Sequence, residues 1–79
     1  MKRDIRMATL ILSSVQHYAK VNGVERRLLE TMVIGDFPGQ KDDFDYNFDL
    51  LVNDGFLFRD HGNVQLTWSG HDLLDKLVK

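Results

Sequence analysis

The stretch from Leu57 to Val78 constrains the fold of this chain more than any other. Phe56-Leu57-Phe58-Arg59, then Asp60-His61-Gly62-Asn63, then Val64-Gln65-Leu66-Thr67 read as strand, tight turn and strand, because short β-rich runs flank a cluster of turn-forming residues. Directly behind this hairpin, Ser69 can cap a closing helix with Asp72 at its third position, and Trp68 with Leu73 can form a hydrophobic staple. Thr67 is the competing cap. Either choice gives a helix of about ten residues that offers Leu73, Leu74, Leu77 and Val78 to a core, with Trp68 read as an anchor beside the hairpin.

Upstream, Asp4 is a suitable N-cap. The apolar residues Ile5, Ala8, Ile11, Leu12, Val15, Tyr18 and Ala19 then recur on one helix face until Asn22-Gly23. This predicts a first helix over residues 4–20. From Val24 to Ile34 the signals conflict: Glu25 to Leu29 favours helix and Thr31 to Ile34 favours strand, so a short helix is the preferred reading. Gly35 to Gln40, with Asp36-Phe37-Pro38-Gly39 at its centre, has turn chemistry. Lys41 to Asp54 then predicts a helix ended by Gly55. Asp43 to Leu50 also alternates polar and apolar as a strand would, but Phe44, Phe48 and Leu51 fit helical spacing, and Asp and Asn are poor strand residues.

Seventy-nine residues suffice for one domain with a small core. Lacking cysteine, the chain must rely on packed apolar side chains, and its 43% hydrophobic content argues for a globular fold over disorder. The uncharged stretch Met7 to Val15 is too short to cross a bilayer, and a secretory signal is not evident, which suggests a cytoplasmic protein. The net charge of -2 provides no global attraction to nucleic acid.

Helix, short element, helix, two-stranded wing and closing helix is the order of a winged helix-turn-helix, an α+β fold that is mainly α. Phe48-Asp49-Leu50-Leu51-Val52-Asn53-Asp54-Gly55-Phe56-Leu57 resembles the end of a winged-helix recognition helix, and Leu66-Thr67-Trp68-Ser69-Gly70-His71 resembles the step from wing to closing helix. Together with Met1-Lys2-Arg3-Asp4, the leucine pair before Asp54-Gly55, and Gly70-His71-Asp72-Leu73-Leu74-Asp75, these stretches resemble a family of small phage and prophage proteins, domain of unknown function 2513. Val21 to Gln40 matches that family least. The resemblance implies a phage or prophage origin and a winged-helix fold, and brings no catalytic residues.

Function must therefore be sought in surfaces. On the helix from Lys41 to Asp54, the residues Asp42, Asp45 and Asp49 share one stripe, with Tyr46, Leu50 and Asn53 beside it. A helix read by a DNA groove normally carries basic or amide side chains, so this face suggests contact with a protein, either a second copy or a host factor. A DNA-binding alternative would use Arg26, Arg27, Lys41 and Arg59 on phosphates, with Lys2, Arg3 and Arg6 as further cations. No cofactor or metal is expected. The run Asp43, Asp45, Asn47, Asp49 imitates a calcium loop but has Phe48 where glycine is needed, and His17, His61 and His71 lack paired zinc spacing. His71, Asp72 and Asp75 read as capping and solubilising residues, and an enzyme is not expected.

Overall fold

A computed structural model describes residues 2–35 and 38–78. These form four α-helices, a 3₁₀ turn and a small antiparallel sheet, in the order α1 (Ile5–Tyr18), β1 (Val24–Glu25), α2 (Arg26–Ile34), the turn Pro38–Gln40, α3 (Lys41–Asn53), β2 (Leu57–Asp60), β3 (Asn63–Leu66) and α4 (Trp68–Leu77). The architecture is α+β and mainly helical. Asp36 and Phe37 of the expected turn lie outside the described residues.

The Asp4 carboxylate caps α1 by accepting from the Arg6 and Met7 amides, as the sequence suggested. The helix ends two residues sooner than expected, and Tyr18 projects to solvent instead of into the core. The conflict over residues 24–34 resolves into both elements. A two-residue strand comes first and the helix then runs through Thr31-Met32-Val33-Ile34, with Leu29 and Ile34 supplying its buried positions. Gly35 ends α2 at positive φ. The helix reading of Lys41 to Asn53 holds, since Phe44, Phe48 and Leu51 are buried on one face and Asp54 caps the end.

β2 and β3 pair antiparallel from Leu57 opposite Leu66 to Asp60 opposite Asn63. The connection is the two residues His61 and Gly62, both at positive φ, a geometry that matches the right-handed twist of the strands it joins. The hairpin is not alone: β1 pairs with β3, giving the order β1-β3-β2. Two residues of strand are too few for an alternating pattern to be visible in sequence.

The closing helix departs most from expectation. Thr67, not Ser69, is the cap, accepting from the Gly70 amide at 3.0 Å, and its hydroxyl also donates to the Gly55 carbonyl at 2.6 Å. Trp68 is 92% exposed, so it neither staples the helix nor anchors the core. The cause is helical phase. Gly70 packs so tightly on the Phe56 carbonyl that any Cβ there would overlap it, which turns Gly70, Leu74, Leu73 and Leu77 inward. Trp68 lies about 160° from Gly70 at 100° per residue, on the opposite face. Val78 likewise remains exposed.

Ile11, Leu12 and Val15 of α1, Leu29 of α2, Phe44 and Phe48 of α3, and Val64 of β3 are fully buried. They form one core with Leu51, Leu57 and Leu74. Each contributes about 1.5–3 kcal/mol by leaving water. No helix among the described residues is long and apolar enough to cross a membrane.

Candidate functional site

α3 is central to the molecule, and its surroundings divide the residues expected to act together into three groups. Its inner face carries Phe44, Phe48, Leu51 and also Asn47. Asn47 is buried, yet both ends of its amide are used: Oδ1 accepts from the Asp4 amide and Nδ2 donates to the Asp43 carbonyl, each at 2.8 Å. One side chain thus joins the start of α1 to α3. The signal that would have found it is a polar residue on the arc of Phe44, Phe48 and Leu51, since a buried polar group needs partners.

The flank of α3 toward α2 is bound by charge. Arg26 donates to Asp45 at 2.6 Å and to Glu30 at 3.4 Å, while Lys41 reaches Glu30 and Asp45 at 3.3 Å each. The Arg26 guanidinium also lies over the rings of Phe44 and Phe48, at 5.5 and 4.8 Å from their centroids. Partial burial pushes the Asp45 carboxyl up, but the hydrogen bonds and charges of Arg26 and Lys41 outweigh it and hold the group below its ordinary range. The hydrogen bonds to Glu30 and Asp45, with their charges, raise Lys41. Asp45, expected on a recognition stripe, instead ties two helices together. Arg26 and Lys41, expected to reach phosphates, are engaged by carboxylates.

The outward stripe therefore narrows to Asp42, Asp49 and Asn53, all exposed, with Tyr46 half-buried beside them. Leu50 belongs to the other flank. There it lines a cleft of about 310 Å³ between α1, α3 and α4, together with Ile5, Leu51, Phe56, Leu73 and Leu77. Arg3 and Asp54 supply the charged part of its rim. Sequence reading did not find this cleft, because three helices separated along the chain must meet to form it.

Of the remaining cations, Arg27 is exposed on α2, and Arg59 on β2 places its guanidinium 5.6 Å from the Phe48 ring centroid, so Arg26 and Arg59 converge on one aromatic ring. Lys2, Arg3 and Arg6 are exposed around the start of α1. Residues 43, 45, 47 and 49 fan to different sides of a continuous helix, with Asn47 in the core. His71, Asp72 and Asp75 are exposed on α4, and His61 at the hairpin tip pairs with Asp60 at 2.6 Å.

Comparison with family models, with curated proteins and with solved structures finds no match.

Proposed function

We propose that this chain is a non-enzymatic winged-helix binding module that acts by protein contact through the outward face of α3. The element order α1-β1-α2-α3-β2-β3 with sheet order β1-β3-β2 supports the winged-helix reading, α3 taking the place of the recognition helix and β2-β3 that of the wing. The resemblance to domain of unknown function 2513 belongs to this reading, and the tight seat of Gly70 against Phe56 gives a physical reason for glycine in the Leu66-Thr67-Trp68-Ser69-Gly70-His71 stretch. A phage-derived protein working in the cytoplasm of a bacterial host belongs to the same reading.

One observation carries the functional proposal: the outward face of α3 presents Asp42 and Asp49, while the nearest cations, Arg26 and Lys41, are already bound to Asp45 and Glu30. Such a face repels phosphate and suits a partner protein with a basic docking surface. A second copy meeting it through the same stripe would oppose like charges, so a different protein fits better. Asp42→Lys with Asp49→Lys reverses the stripe without touching the α2–α3 ion pairs. Capture of a host protein from nuclease-treated lysate should be lost in this variant, and unchanged capture refutes the role of the stripe.

The alternative is a DNA-binding regulator. In its favour, Arg59 is exposed on β2 and Arg27 on α2. Phosphate contacts would make affinity fall steeply with salt, so a salt-titrated binding assay on duplex DNA decides. Absence of binding at low salt removes the alternative.

A further inference from the structure

The cleft between α1, α3 and α4 is lined mostly by apolar side chains and carries one cation, Arg3, and one carboxylate, Asp54. On α3 it follows the face that carries Asn47, Leu50, Leu51 and Asp54, a run of two helical turns, or about 10 Å. The chain enters α1 at the Asn47 end, where the Asp4 amide is bonded to Asn47, and this places Arg3 there, while Asp54 marks the far end. The floor between them is apolar. No ion pair joins Arg3 to Asp54 among the described residues. Ile5 stands in the wall with 48% of its surface exposed, a large apolar side chain left in water at the edge of an apolar recess.

A two-fold contact must be self-complementary, since each residue meets the counterpart of the residue it faces. A patch with a cation at one end, a carboxylate at the other and an apolar centre meets that condition: rotation about its middle sets Arg3 of each copy against Asp54 of the other. We propose that a second copy of this chain docks on the α1/α3/α4 cleft and forms a two-fold dimer with reciprocal Arg3–Asp54 pairs. The surface excludes Asp42 and Asp49, so the dimer leaves both outward stripes of α3 available to another protein.

Analytical ultracentrifugation of the whole chain over a concentration series tests this. Wild type should approach twice the chain mass as concentration rises. Arg3→Asp and Asp54→Arg, each alone, set like charges opposite one another twice, and each should raise the dimer dissociation constant about tenfold or more. Both positions are exposed, so the single variants should retain the wild-type circular dichroism. Mixing the two variants in equal amounts sets a carboxylate of one chain against a guanidinium of the other at both contacts, and a one-to-one heterodimer should return. A monomeric wild type up to about 1 mM, the millimolar limit of weak association, assigns the cleft to some other apolar partner and overturns the proposal. So does unaltered dimerisation of the single variants, or a mixture that stays monomeric. The Asp42→Lys, Asp49→Lys protein should dimerise normally, so failure of the dimer and failure of the stripe as a docking face are read separately.

Discussion

The two flanks of α3 are held by different physics. Toward α2, Arg26, Lys41, Glu30 and Asp45 form a partly exposed network in which every attraction competes with water and salt. Toward α1 and α4, Asn47 is satisfied within the core, Gly70 touches the Phe56 carbonyl, and apolar side chains supply the rest. The first arrangement tolerates damage, because a freed charge can still find water. The second does not, because a misplaced atom or an unmet amide has no such recourse. A charged flank should therefore yield small, salt-sensitive effects, and a packed flank large ones that salt leaves unchanged.

Gly70→Ala should produce the largest loss. Its Cβ would overlap the Phe56 carbonyl oxygen, and since Thr67 is bonded to both Gly55 and Phe56, α4 cannot retreat without breaking its own start. A destabilisation of at least about 3 kcal/mol is expected, a fall in Tm of more than about 12 °C for a domain of this size. A thermal melt within a few degrees of wild type would mean that the closing helix is not seated as described.

Asn47→Ala comes next. It removes the tie between the start of α1 and α3 and the bond to the Asp43 carbonyl within α3, and leaves a small cavity, for a loss of about 2–3 kcal/mol in urea titration. That deficit should stay constant between low and high salt. Arg26→Met is smaller, about 1 kcal/mol, because methionine preserves much of the contact with Phe44 and Phe48 while Lys41 still accompanies Asp45. Its deficit should shrink toward zero at about 1 M salt, where the screening length is about 3 Å. Equal salt dependence of the two variants would erase the distinction between the flanks.

How far each flank could be read in the sequence follows from the same difference. The apolar period of Phe44, Phe48 and Leu51 identified the inner face of α3, and the Asp60 to Asn63 turn identified the hairpin, because both signals are local. What the chain does with Trp68 was not local: its exposure follows from the contact between Gly70 and Phe56, fourteen residues apart, which sets the rotation of α4. β1 needed β3 to exist. Asp45 looked like part of an exposed acidic stripe because a helical wheel gives direction but no neighbours, and Arg26, nineteen residues away, supplies the partner. The outward placement of Asp42, Asp49 and Asn53 was correctly legible, while the cleft was invisible until three helices met.

Acid titration offers the finest test of the charged flank. Partial burial alone would raise the Asp45 carboxyl, but the bonds and charges of Arg26 and Lys41 bring it below its ordinary value of 3.8. A group whose folded value is lowered contributes stability above its unfolded value and loses it as pH falls through the folded one. The stability gap between wild type and Asp45→Asn should thus be constant near neutrality and close only below about pH 3.8. Lys41 has the opposite sign: its folded value is raised, so its share is intact below 10.5 and disappears as pH climbs past the folded value. Urea titrations of Asp45→Asn and Lys41→Met against wild type, at pH 2.5, 7 and 11, separate the two limbs. The Gly70→Ala deficit comes from steric overlap and should be the same at all three. If the Asp45→Asn gap persists unchanged at pH 2.5, its origin is packing, and the contrast between the two flanks of α3 reduces to one of geometry alone.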